Sequence, residues 1–133
     1  MKRKKLTASM IALVMSVSLP MTTYAANWYL EDGSVTVNAD NSGQTVTQGS
    51  TSTPDEAPVI TQRENSVETG NTITINASDN AAANVTIKDI NIKSSNDAID
   101  VKGSSSANIT LEGDNKIFSE TGSALHISDG NVT

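Results

Sequence analysis

The chain has no cysteine. That excludes disulfides, Cys-based zinc sites and thiol nucleophiles. Aromatic residues make up only 3% of its 133 positions, and past residue 25 only Trp28, Tyr29 and Phe118 remain. Histidine occurs once, as His126. Basic residues are scarce and unevenly placed. There are nine, against fifteen acidic ones, and four of the nine are Lys2, Arg3, Lys4 and Lys5. The rest of the chain carries only Arg63, Lys88, Lys93, Lys102 and Lys116: five basic residues against fifteen acidic, a net charge of −10. A nucleic-acid binder needs a basic footprint, so that class is excluded. Helical periodicity is also missing beyond the N-terminal run. Ser, Thr, Asn, Asp and Gly recur throughout, and they draw the backbone into local hydrogen bonds that compete with a helix.

The N-terminus reads as an address. Behind the basic residues 2–5 comes an apolar run from Leu6 to about Met21, interrupted by small residues and Pro20, and then Thr23-Tyr24-Ala25. This is the layout of a secretory signal peptide, residues 1–25, cleaved after Ala25. The run is short and Ser/Thr-diluted for a span of about 20 residues. The expectation is a secreted or cell-surface protein with no membrane span in the mature segment.

The mature segment alternates. Ile73 and Ile75, Val85 and Ile87, Ile90 and Ile92, Ile99 and Val101, Ile109 and Leu111, and Leu125 and Ile127 are each two apart. Period two places each pair on one face of a strand, and most of these residues are β-branched, which suits a pleated surface. The strands also recur. Asn84-Val85-Thr86-Ile87 returns as Asn108-Ile109-Thr110-Leu111 and as Asn131-Val132-Thr133, in steps of 24 and 23 residues. Ile73, Ile99 and Leu125 follow one another at steps of 26. A looser series joins Val59-Ile60, Ile90-Asn91-Ile92 and Ile117-Phe118. Grouped in threes, the strands give coils at Val59, Ile73 and Val85, then Ile90, Ile99 and Ile109, then Ile117, Leu125 and Val132. Trp28-Tyr29-Leu30, Val35-Thr36-Val37 and Val46 form an irregular earlier coil.

This pattern predicts an all-β parallel β-helix with about three short strands per coil of roughly 23–26 residues. Like residues stack on like, and Asn84, Asn108 and Asn131 open equivalent strands as an amide column at one corner. The same three residues also read Asn-X-Thr, the acceptor pattern for glycosylation, but the repeat geometry already accounts for their positions. Residues 26–57 are expected to form the irregular first coil and a protruding Ser/Thr-rich loop around Gly49–Glu56. Residues 58–133 are expected to form the regular coils. The third Asn phrase stops at Thr133, before a counterpart of Ile87 and Leu111, so further coils of a longer chain are expected.

The run from Ala83 to Ile92, followed by Asp97-Ala98-Ile99-Asp100-Val101 and by Asn108 to Asn115, and the earlier Gly43-Gln44-Thr45-Val46-Thr47-Gln48, resemble a known group. They are similar to the β-helical repeat regions of large bacterial surface proteins described as carbohydrate-binding-domain-containing. The resemblance covers most of residues 27–133. It implies a bacterial surface or secreted protein, a right-handed β-helix and contact with polysaccharide or another host or cell-surface ligand. It brings no catalytic residues.

Candidate chemistry is sparse. A β-helical polysaccharide lyase or hydrolase would need facing carboxyls or a base beside calcium. Asp100 aligns with Thr74 and His126 rather than with other acids, so no acidic column builds up. His126 alternates with Leu125 and Ile127 and should face solvent. The turn clusters Asp79-Asn80, Gly113-Asp114-Asn115 and Asp129-Gly130 offer oxygen ligands for calcium, but without calcium-loop spacing they read as turns. No catalytic residue, cofactor site or metal site is assigned. Trp28 and Tyr29 are the candidate carbohydrate contacts, one facing in and one out, or else a plug for the first coil. The expected function is a non-enzymatic scaffold or adhesin; the alternatives are a carbohydrate-binding module and, after that, a lyase or hydrolase.

Overall fold

The computed structural model describes residues 25–133. The signal-peptide reading falls almost wholly on residues 1–24 and lies outside the described residues. The described chain is all-β, with thirteen strands, one 3-10 turn at Leu30–Asp32 and no α-helix. The strands are β1 (Asn27–Tyr29), β2 (Val35–Asp40), β3 (Gly43–Gln48), β4 (Thr51–Pro54), β5 (Val59–Thr61), β6 (Ile73–Ala77), β7 (Ala82–Lys88), β8 (Asn91–Ser94), β9 (Ile99–Lys102), β10 (Ser106–Glu112), β11 (Lys116–Ser119), β12 (Leu125–Ile127) and β13 (Asn131–Val132).

They form three sheets. One has the order β1-β5-β7-β10-β13, with every neighbour parallel. A second has the order β12-β9-β6-β2-β3-β4, parallel from β12 to β2 and antiparallel beyond it. The third pairs β8 with β11 in parallel. From β7 onward the chain visits the five-stranded, two-stranded and six-stranded sheets in turn, twice over. Successive strands of each sheet stack about 4.8 Å apart.

The register places like on like. Val35, Ile73, Ile99 and Leu125 are successive partners, and so are Val37, Ile75, Val101 and Ile127. In the five-stranded sheet Ile60 faces Ile87, which faces Leu111. The inward side chains of all three sheets meet in one apolar cluster. Full burial of an Ile, Leu or Val contributes about 1.5–3 kcal/mol. Val35, Ile73 and Ile99 obtain nearly all of it, whereas Leu125, at 45% exposure, obtains only part.

Three sequence expectations are corrected. First, the segment expected to carry a protruding Ser/Thr-rich loop, within residues 26–57, is largely strand. β3 and β4 continue the six-stranded sheet past β2, with Val46 buried opposite Val37. Threonines carry these strands, and their β-branched side chains fit a pleated surface as well as valine does.

Second, Val59-Ile60 does not belong with Ile90-Ile92 and Ile117-Phe118. It lies in the five-stranded sheet, beside β1 and β7. The Asp55 carboxylate fixes this return. It accepts hydrogen bonds from Trp28 Nε1–H (2.9 Å), Ala26 N–H (3.1 Å) and Ala57 N–H (3.1 Å), which brings β5 alongside β1. The partner of Ile92 in the preceding cycle is Thr69, through a single bridge.

Third, Asn131 leaves the asparagine column. Asn84 and Asn108 are partners, but Asn131 pairs with Ser106 and Val132 with Ala107. Thr133 follows, bonded to Ala107 and Ile109 on either side of Asn108. The step is 25 residues rather than 23 (Ser106 to Asn131). A shift of two residues keeps Val132 inward, so the core tolerates either register; a shift of one would turn it outward.

Residues 43–55 are tied down by polar groups as well as by sheet bonds. Gln44 is buried; its Nε2 donates to Asp55 O (2.9 Å) and Asn84 O (3.0 Å), and its Oε1 accepts from Asn84 N–H (2.8 Å). Asp55 is 1% exposed. Removing its carboxylate would strand the donors of Ala26 and Trp28. Asp55→Ala is therefore expected to lower unfolding stability by about 3 kcal/mol, read from urea unfolding. A loss no larger than that of an ordinary surface change, about 0.5 kcal/mol, would contradict the role given to this carboxylate.

Candidate functional site

The outward face of the five-stranded sheet carries a polar groove. Tyr29, Thr61, Lys88 and Glu112 are successive partners across β1, β5, β7 and β10, so they form one row along the stack. With Asn27, Val59 and Gln62 they line a cavity of about 340 Å³. Lys88 Nζ and Glu112 Oε2 are 3.9 Å apart, close enough to partly neutralise each other in solvent.

Tyr29 sits at one end of the row, half-buried. Arg63 covers one face of its ring, with the guanidinium carbon 3.9 Å from the ring centroid. Two parallel hydrogen bonds to Asp32, 3.0 and 2.8 Å long, hold the guanidinium in place. The hydrogen bonding from Arg63 holds the Asp32 carboxyl below its ordinary range and raises the guanidinium in return. The pair is exposed at both ends, so it positions the ring more than it stabilises the fold. Trp28, the other candidate contact, points into the core at 8% exposure and donates to Asp55. That removes it as a saccharide contact and gives it a structural role.

Asn84 and Asn108 lie two residues into their strands, exposed on the outward face, rather than at a corner. Asn108 Nδ2 donates to Asn84 Oδ1 at 2.9 Å, so an amide pair forms there. A second pair, Asn38 and Asn76, stacks on the six-stranded sheet, with Nδ2 of Asn76 3.4 Å from Oδ1 of Asn38. Sequence reading missed it because the 38-residue step between them spans β3 and β4. The turn clusters weighed for calcium include left-handed backbone positions at Asp79, Asn80, Gly113 and Gly130. Turn geometry accounts for those residue types.

One constellation was not foreseen. His126 faces Asp100 across β12 and β9, as the repeat implied. Asp97, from the turn before β9, reaches the same point. His126 Nδ1 lies 3.2 Å from Asp100 Oδ1 and 3.3 Å from Asp97 Oδ2. The signal was present as Asp97-X-X-Asp100, but nothing in the alternation showed that the turn directs Asp97 toward the neighbouring strand.

At the other end of the stack the apolar interior is open. Ile99, Ile109, Leu111, Ile117, Ala124 and Leu125 line a cavity of about 260 Å³. Leu111, Phe118, Leu125 and Ile127 are 61, 56, 45 and 45% exposed. Among the described residues no helix is long and apolar enough to cross a membrane. No protein-family model, curated protein or solved structure matches the chain.

Exposed apolar side chains beside unpaired strand edges favour association. The chain is expected to self-associate as its concentration rises, and Leu111→Lys with Leu125→Lys is expected to leave it monomeric. Sedimentation equilibrium reads both. Association that persists unchanged in the double variant would locate it elsewhere.

Proposed function

We propose that the chain is a non-enzymatic scaffold from an exported bacterial surface protein, its three sheets forming the faces of a right-handed parallel β-helix. One observation carries this reading. The order of sheets repeats, with register steps of 24 residues (Asn84 to Asn108), 25 (Asn91 to Lys116) and 26 (Ile99 to Leu125). Near-equal steps on three sheets are what a chain winding around one core produces. The right hand follows the general preference of crossovers between parallel strands. Such a stack is a rigid, extended support, and its surface is polar and acidic, in keeping with the extracytoplasmic destination that residues 1–25 suggest. Produced in a bacterium from its own first residue, the protein is expected outside the cytoplasm with Ala26 as its N-terminus. Full-length protein confined to the cytosol would contradict the export reading.

A second reading, a carbohydrate-binding module, is favoured by the groove. It offers one aromatic ring, Tyr29, beside the hydroxyl, amide, ammonium and carboxylate groups of Thr61, Asn27, Lys88 and Glu112. An apolar ring with convergent polar partners is the usual composition of a saccharide site. The acidic surface disfavours acidic polysaccharides unless calcium bridges them, so neutral glycans are the expected class. On a glycan array the wild-type chain is expected to retain neutral oligosaccharides and Tyr29→Ala to lose them. No retained glycan, or retention indifferent to Tyr29, would leave the scaffold reading alone.

A further inference from the structure

We infer that Asp97, Asp100 and His126 form a surface binding site for a divalent transition ion of the zinc class. Asp100 and His126 come from the adjacent strands β9 and β12 of the six-stranded sheet, and Asp97 from the turn before β9. Asp100 is the second residue of β9: Ile99 and Val101 point inward, and Asp100 between them points out. His126 occupies the matching outward place on β12. Buried Ile99 and Val101 fix β9, and the ladder sets β12 beside it.

Asp97 is held independently. Its Oδ1 accepts a hydrogen bond from Ser123 N–H at 2.7 Å, which leaves Oδ2 free to face the imidazole. Gly122 makes room for this carboxylate, since a Cβ there would collide with Oδ1. Lys102 Nζ lies 3.3 Å from Asp100 Oδ2, which directs Oδ1 toward the ring and offsets part of the local negative charge. Partners of this kind orient ligands in metal sites.

The separations fit a shared metal ion. Both carboxylate oxygens converge on a single nitrogen, at 3.2 and 3.3 Å. A neutral Nδ1–H carries one hydrogen and can point it well at only one of them. A zinc ion bound at about 2.0–2.2 Å to nitrogen and oxygen in tetrahedral geometry sets its ligand atoms roughly 3.3 Å apart, close to both separations here. All three donor atoms lie within 4.8 Å of one another. Imidazole nitrogen selects zinc, copper or nickel rather than calcium or magnesium, which prefer all-oxygen shells. Three protein ligands leave a fourth position for water, and the site is open to solvent on its outer side: the His126 side chain is 44% exposed.

Zinc alone, titrated into the full chain at about pH 7.5, above the ordinary imidazole range, is the test. Affinity is read by competition with a chromophoric chelator. The imidazole nitrogens are followed by nitrogen-15 NMR, where a sole histidine needs no assignment. The expected result is one zinc per chain, Nδ1 stripped of its hydrogen and shifted as a metal ligand, and affinity reduced at least about tenfold in both His126→Gln and Asp97→Asn. Asparagine at 97 keeps an oxygen for Ser123 N–H, and the NMR readout on the unaltered chain holds whether or not a variant folds. Absence of 1:1 binding, zinc held through Nε2 while Nδ1–H stays between the carboxylates, or affinity indifferent to both variants would each overturn the site.

Discussion

The parallel backbone ladder is the constraint on which everything else here depends. Once β7 and β10 pair in register from Ala82↔Ser106 to Lys88↔Glu112, every side chain on those strands has a fixed neighbour one layer away. Apolar residues must then meet apolar residues inside, and outward polar residues line up in rows. The core column from Val35 to Leu125, the amide pair of Asn84 and Asn108, and the row from Tyr29 to Glu112 are consequences of that one rule. It also explains how a chain without cysteine, and with few aromatic residues, holds a single apolar cluster together. Each added layer contributes backbone hydrogen bonds and a row of buried methyl groups.

The two ends of the stack solve the same problem differently. Beside β2, the chain folds back as β3 and β4, so the first parallel strand of the six-stranded sheet is not an edge. Buried Gln44 and Asp55 fasten that fold-back to β1 and β7. They are costly groups to bury, and they are tolerable because their hydrogen-bonding capacity is largely used. At the opposite end Leu111, Leu125 and Ile127 keep the inward orientation of their counterparts but have no described layer above them. Exposure there follows from position in the stack, since the same columns are fully buried two layers earlier.

Much of this was legible in the sequence, and the limits are physical. The series at Ile73, Ile99 and Leu125 could be read because its alternation is clean and its steps are equal; the pairing follows it residue for residue. β5 was misplaced because Val59-Ile60 is apolar enough to suit any of the sheets, while the true predecessor of Ile92 is the polar Thr69. Asn131 was placed two residues off because a repeated phrase outweighed the shorter connection from Ile127 to Asn131, and a two-residue shift leaves the apolar pattern unchanged. In the groove, Tyr29 and Trp28 were named from residue type, one expected inward and one outward; burial and the contact with Asp55 show that Trp28 is the inward one. His126 beside Asp100 followed from the repeat, whereas Asp97 depends on a turn whose direction alternation does not encode.

The stacking of inward side chains in a parallel ladder is tested most directly by methyl–methyl nuclear Overhauser contacts in the selectively methyl-labelled chain. The account predicts a sequential chain of contacts, Val35 to Ile73, Ile73 to Ile99 and Ile99 to Leu125, each across one layer of about 4.8 Å. Direct contacts that skip a layer, such as Ile73 to Leu125, or contacts that place Ile73 opposite Val101 in an antiparallel register, would contradict it.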